Sequence, residues 1–244
     1  MGFIINPRGV GGSGKTELAR RILAAYSWTE GGQAEPLRQK GREKPIGYRL
    51  RHPEGGRPLV VLGQYERTSG GCDTIPAAHG GLDEIFRLAD HWAAAGHDVL
   101  LEGSAWSAEH RRSALLAKRH RLHVLHLSTP PEEAARNLAA RRRARRSSWP
   151  LIMRTVEAQH DSIEAACNKL RGVAAVEQHA FGGALGRARE LLGLKAGSEE
   201  KVAHPSPHPI PIRRPLLVGA SMAAFRPLTT SNSQLGHHPQ ECAA

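Results

Sequence analysis

The chain has 244 residues, with 34 Lys+Arg against 23 Asp+Glu and a formal net charge of +11. A chain of that length buries a stable core without cross-links. Its three cysteines (Cys72, Cys167, Cys242) are dispersed, no C-x-x-C pair occurs, and no apolar run approaches membrane-spanning length. A disulfide framework, a zinc site and a membrane protein are therefore disfavoured, and the cytoplasm is the expected setting.

Residues 1–6 lead directly into a strand and are too short for a signal peptide. Phe3-Ile4-Ile5 reads as that buried strand and residues 17–26 as a helix. Residues 27–47, rich in Gly, Gln, Lys and Arg and including Gly31-Gly32, predict a surface insertion with little core. Tyr48-Arg49-Leu50 reads as a short strand before a turn at His52-Pro53-Glu54-Gly55-Gly56. Leu59-Val60-Val61-Leu62 predicts a buried strand ended by Gly63. The spacing of Leu82, Ile85, Phe86, Ala89, Trp92 and Ala93 predicts a helix to about Ala95, stopped by Gly96. Val99-Leu100-Leu101 is the next strand, Ser107 is placed to cap a helix through Arg119, and residues 122–127 form another strand.

Thr129-Pro130-Pro131-Glu132 combines a capping hydroxyl, a proline at the first position and an acid in the first turn, which predicts a helix start. That helix runs into the arginines of residues 141–146 and breaks near Trp149-Pro150. Ile152, Val156, Ile163, Cys167 and Leu170 mark a further helix. Residues 173–176 read as a last strand and 183–194 as a last helix. The alternation predicts an α/β fold, a parallel sheet with helices on both faces. From Ala196 the composition turns Pro-, His- and Ser-rich and all periodicity is lost. A folded domain over 1–195 and a disordered tail over 196–244 are expected. The tail holds four Lys/Arg and three Asp/Glu, which leaves +10 on residues 1–195 and favours a polyanionic ligand, nucleotide or nucleic acid.

Gly9-Val10-Gly11-Gly12-Ser13-Gly14-Lys15-Thr16 fits G-x-x-x-x-G-K-[ST] without substitution and lies between a strand and a helix, the context the motif requires. A loop of this kind turns successive backbone N–H groups, and the first turn of the helix after it, towards one anion. These eight residues are the expected phosphate site of a nucleoside triphosphate such as ATP. Lys15 serves the outer phosphates and the Thr16 hydroxyl is a ligand of Mg2+.

In a parallel sheet, ligands sit outside the carboxyl ends of the strands. Glu102 directly follows Val99-Leu100-Leu101; it can hold Mg2+ through water, orient an attacking hydroxyl, or pair with an arginine. Asp73 ends the polar loop after Leu62; it can accept the proton of that hydroxyl or stabilise its own turn. Helical spacing places residues 134, 138, 141, 142 and 145 on one face. Arg141, Arg142 and Arg145 then extend that face as an arginine lid over the triphosphate. A solvated basic face and a nucleic-acid patch are the alternatives. His120, His123 and His126 fall on a strand that splits them between two faces, which argues against a metal site.

Asn168-Lys169-Leu170-Arg171 lacks the aspartate of a guanine site, and Leu101-Glu102-Gly103 lacks the Asp-Glu pair of motor and clamp-loader ATPases. A small phosphoryl-transfer kinase remains. Val60-Val61-Leu62-Gly63-Gln64-Tyr65, Gly70-Gly71-Cys72-Asp73-Thr74-Ile75, Val99-Leu100-Leu101-Glu102-Gly103 and Thr155-Val156-Glu157-Ala158-Gln159-His160 resemble the phage P-loop kinases that act on 5-hydroxymethyluracil in DNA. The resemblance spans roughly residues 3–171, and the Gly-Gly-Cys-Asp block is its most specific element. It implies transfer of the γ-phosphate of ATP, with Mg2+, to the 5-hydroxymethyl oxygen of the modified base in DNA. That is a step of thymidine hypermodification, carried out in the host cytoplasm. The competing expectations are a kinase of a free nucleoside, nucleotide or other small molecule, and a non-catalytic ATP-gated binding protein.

Overall fold

A computed structural model describes residues 1–28, 34–66 and 70–195. The Gly31-Gly32 pair and the predicted tail over 196–244 lie outside the described residues. Among those described, the strands are β1 (Phe3–Arg8), β2 (Glu35–Leu37), β3 (Gly47–Leu50), β4 (Leu59–Leu62), β5 (Asp98–Leu100), β6 (Arg121–Leu127) and β7 (Ala175–His179). The helices are α1 (Lys15–Ala25), α2 (Gly81–Ala94), α3 (Ser104–Ser107), α4 (Arg111–Arg119), α5 (Pro131–Arg142), α6 (Trp149–Leu170) and α7 (Phe181–Leu192).

The strands form one sheet in the order β2-β3-β4-β5-β1-β6-β7. From β4 to β7 every pairing is parallel, as the alternating pattern predicts. At the other edge β2 and β3 pair antiparallel, so the sheet is mixed. The three residues of β2, Glu-Pro-Leu, are too few and too polar to carry a strand period, and proline is tolerated there because β2 is an edge. The expectation of little core in 27–47 is corrected at Ile46, which is buried and accepts the Gly63 N–H at 2.8 Å.

Period-two alternation along the strands builds two apolar layers. Ile4, Val60, Val99 and Val124 face one side and pack under α2, α4, α5 and α6. Phe3, Ile5, Val61, Leu100 and Leu125 face the other and pack under α1 and α7. Each fully buried Leu or Ile contributes about 1.5–3 kcal/mol relative to exposure. The histidines divide between the layers as the strand reading requires. His123 packs edge-on against Phe3, while His120 bonds Asp90 at 2.8 Å and His126 lies 3.6 Å from Glu164.

A buried polar knot fixes β1 against its neighbours. The fully buried Arg8 guanidinium donates to Asn6 Oδ1 (2.7 Å), the Ser107 carbonyl (3.1 Å) and Ser113 Oγ (2.6 Å), and Asn6 Nδ2 donates to the Leu101 carbonyl (2.9 Å). Burial pushes the Arg8 pKa down to about 10, which leaves it charged at neutral pH.

Several predicted boundaries move, among them the last strand, from 173–176 to Ala175–His179, and the last helix, from 183–194 to Phe181–Leu192. Ser107 ends α3 rather than capping the next helix, because its hydroxyl donates to the Gly103 carbonyl at 2.7 Å. The Thr129 hydroxyl leaves the N-terminus of α5 uncapped and donates to the Ser13 carbonyl at 3.2 Å. The arginine-rich helix stops at Arg142, with Arg143 in the left-handed region (φ 50°, ψ 42°), and Trp149-Pro150 begins α6 instead of ending α5.

Candidate active site

The chain leaves β1 into α1 on one face of the sheet, and leaves β5 towards α3 and α4 on the other. The two strands are neighbours, so a crevice opens between their carboxyl ends, where ligands bind in open α/β sheets. It forms a cleft of about 460 Å³ containing the phosphate loop, Arg20, Asp73, Thr74, Glu102, Ser104, Asn137 and Arg141. A hollow of about 700 Å³ at the opposite edge, where β1, β6 and β7 begin, contains none of these residues.

The phosphate loop is held in an open curve. Gly12 (φ 89°) lies so close to α5 that a Cβ would meet the Ala134 carbonyl oxygen at 2.1 Å, and Gly14 takes φ 96° at the cap of α1. Side chains brought from α6 and from around α5 grip three consecutive loop residues. Gly11 N–H donates to Gln159 Oε1 (3.0 Å), Asn137 Nδ2 donates to the Gly12 carbonyl (3.1 Å), and Thr129 Oγ1 holds the Ser13 carbonyl.

Lys15 is only 6% exposed and its ammonium donates to the carbonyls of Gly9 (2.6 Å) and Val10 (3.0 Å). Burial lowers its pKa, opposed by the carboxylates of Glu102 and Asp73. Thr16 Oγ1 donates to Glu102 Oε1 at 3.2 Å. Glu102 is 1% exposed, and burial pushes its pKa up to about 7, opposed by Lys15 and reinforced by Asp73. A hydroxyl and a buried carboxylate make a donor set of the hard-oxygen kind that Mg2+ takes. The residues present therefore fit that ion.

The Gly-Gly-Cys-Asp block is explained by what it touches. Gly71 (φ 73°) abuts Glu102: a Cβ there would lie 2.2 Å from Oε1. The Cys72 N–H donates to the Glu102 carbonyl at 2.7 Å, and the Cys72 side chain is buried. Asp73 is exposed, and its two carboxylate oxygens accept the backbone N–H groups of Ser104 (2.7 Å) and Ala105 (3.2 Å). It thus caps the short α3 and does not merely close its own turn, while one side of it faces the cleft.

The chain is similar to the 5-hmdU DNA kinase of Pseudomonas phage PaMx11, with 38% identity over 178 residues, covering 71% of this chain and 89% of the phage protein. The chain belongs to the 5-hmdU DNA kinase family. No protein-family model matches it. Among solved structures, a gluconokinase from Sinorhizobium meliloti 1021 aligns with 79% of this chain and 90% of its own at 17% identity, with a TM-score of 0.39. No helix among the described residues is long and apolar enough to cross a membrane.

Of the residues singled out in the sequence, the structure brings Gly11, Gly12, Gly14, Lys15, Thr16, Asp73, Glu102 and Arg141 to one cleft; Gly9, Val10 and Ser13 complete the loop behind it. Arg142, exposed on the last turn of α5, does not line it. Arg145 does not continue the α5 face, because the chain reverses at Arg143; it lines a separate hollow with Arg146 and Trp149. Gln159, Asn137 and Arg20 were not singled out. Gln159 sits within the Thr155–His160 string, but no spacing in the sequence links it to Gly11, 148 residues away. Arg20, one turn after Thr16 on α1, donates to the Tyr65 carbonyl at 3.2 Å and lines the cleft; its i+4 spacing from Thr16 was the available signal.

Proposed function

We propose that the chain transfers the γ-phosphate of ATP to the 5-hydroxymethyl oxygen of 5-hydroxymethyluracil in DNA. The observation that carries this reading is a phosphate loop whose Thr16–Glu102 pair faces the Asp73 block in one cleft, in a chain of the 5-hmdU DNA kinase family. The charge of +10 on residues 1–195 agrees with a DNA substrate.

In this reading the backbone of residues 9–16 takes the phosphates, and Lys15 exchanges its two carbonyl partners for phosphate oxygens. Thr16 and Glu102 hold Mg2+, which when bound neutralises charge on the phosphate oxygens. Asp73 accepts the proton of the 5-hydroxymethyl group, and its bonds to the α3 backbone fix its direction. Arg141 meets the charge that develops on the transferring group. Arg142 and Arg145 reach the phosphates only if the α5–α6 hairpin closes. The 5-substituent of the base faces the major groove, so its oxygen is accessible from that side.

Labelled ATP incubated with hydroxymethyluracil DNA, unmodified DNA and a panel of free nucleosides tests the proposal. Label in the modified DNA alone is the expected outcome. Label only in a free nucleoside would make the chain a small-molecule kinase, and tight ATP binding without transfer would make it a binding protein.

A further inference from the structure

Between Glu133 and Glu157 the sequence has seven arginines and no acid. Among the described residues only Arg136 of the seven is ion-paired, to Glu132 at 3.4 Å. Arg141, Arg142, Arg143, Arg145, Arg146 and Arg154 are all exposed. Elsewhere Arg21, Arg87, Arg112, Arg119 and Arg187 each hold an acid at 2.6–2.9 Å, and the exposed arginines without one, such as Arg38, Arg51, Arg111, Arg121 and Arg171, are scattered along the chain and not gathered in one hairpin. Among the described residues, the hairpin between α5 and α6 therefore keeps a positive field that no paired carboxylate neutralises.

Its backbone adds a second observation. Arg143 occupies the left-handed position that stops α5, and Ala144 N–H returns to the Ala139 carbonyl at 3.0 Å. Glycine adopts that conformation without strain; an arginine does not. The reversal carries Arg145 and Arg146 to a hollow of about 440 Å³ floored by Ala139, Ala144, Trp149, Pro150 and Ile152. An apolar, partly aromatic floor rimmed by guanidinium groups matches the two halves of a nucleotide, a flat base or sugar within and phosphates outside. Arg141, on the same last turn of α5, lines the phosphate-loop cleft, so the basic surface runs into the candidate active site.

We propose that the tip of the α5–α6 hairpin is a DNA-docking surface, Arg143 and Arg146 taking backbone phosphates and the Trp149 hollow taking a base or deoxyribose next to the one being modified. This rests on the reading of the cleft as the site of a DNA-base kinase.

The test is binding of hydroxymethyluracil duplex DNA, without ATP, by fluorescence anisotropy over a salt series, with unfolding midpoints measured for every variant. Arg143→Gly removes a cation and the backbone strain together, so it weakens binding without lowering the midpoint. Arg143→Gly and Arg146→Gln each reduce the log–log salt slope by roughly 0.9, the share of one phosphate contact. Trp149→Leu weakens binding at least about fivefold while Trp149→Phe, which keeps an aromatic face, does not. The KM for ATP stays at the wild-type value in all of them. Wild-type affinity and salt slope in both arginine variants overturn the docking surface, even where wild-type protein phosphorylates the modified DNA. The opposite result, arginine-dependent DNA binding with transfer only to a free nucleoside, keeps the surface and overturns the kinase reading.

Discussion

The Thr16 hydroxyl donates to Glu102 Oε1 across 3.2 Å and so joins two segments that leave the sheet on opposite faces. Thr16 comes from the first turn of α1, after β1, and Glu102 from the segment just after β5. The pair stands at the topological switch point of the sheet, and the carboxylate is taken almost wholly out of water.

That burial has a pH signature. Burial holds the Glu102 pKa at about 7 against 4.5 for a free side chain. Between those two values the folded protein carries a proton that the unfolded chain has released, so stability falls as pH rises through the window. The full effect is roughly 3 kcal/mol, complete above the folded-state pKa. Glu102→Gln keeps an acceptor for Thr16 and removes the charge. Denaturant unfolding should therefore find the variant more stable than wild type at pH 8 and nearly equal at pH 4. Its transfer rate should fall at least a hundredfold, because an amide holds Mg2+ poorly.

Lys15→Ala should abolish transfer while the unfolding midpoint moves little. The side chain is buried and, among the described residues, bonded to two loop carbonyls, so what it loses in the fold is local. Turnover within tenfold of wild type would remove the phosphate loop from the chemistry.

Asp73→Asn separates the two duties of that residue. Asparagine keeps one of the two acceptors that cap α3, which costs about 1 kcal/mol of stability. If Asp73 also takes the hydroxyl proton, kcat falls about a hundredfold or more while the KM for ATP moves less than about threefold. An unchanged kcat with the same loss of stability would leave Asp73 as a cap alone.

Gln159→Leu removes the acceptor that holds the Gly11 N–H, and Gln159→Glu keeps it. One such bond is worth about 1 kcal/mol, so steady-state kinetics should show kcat/KM for ATP reduced roughly fivefold in the first variant and restored towards wild type in the second. Equal loss in both would mean that the loop responds to side-chain volume and not to the hydrogen bond.

The parts of the site that the sequence displays are those whose chemistry is local. The phosphate loop carries its strand, glycines and helix in one stretch. Glu102 shows because a carboxylate directly ends a fully apolar strand. The parts that stayed hidden depend on distant contacts. Asp73 is recognisable as an acid in a polar loop, but its two partners are backbone amides 31 and 32 residues on. Gln159 meets Gly11 only because α6 crosses over the loop. The arginine face predicted through residue 145 assumed a continuous helix, and nothing in propensity announces that an arginine will take the left-handed position at 143. The edge strand β2 was missed because three residues show no period; its pairing with β3 defines it.

In the proposed reaction the group phosphorylated is the 5-hydroxymethyl oxygen of a base within DNA. Hydroxymethyluracil duplex incubated with the protein, ATP and Mg2+, then digested to nucleosides and analysed by mass spectrometry, tests it directly. A phosphomonoester on the hydroxymethyl group of the modified base is the expected product, absent with Lys15→Ala. A duplex whose bases are unchanged, with phosphate appearing only on free nucleoside supplied to the same enzyme, would contradict it.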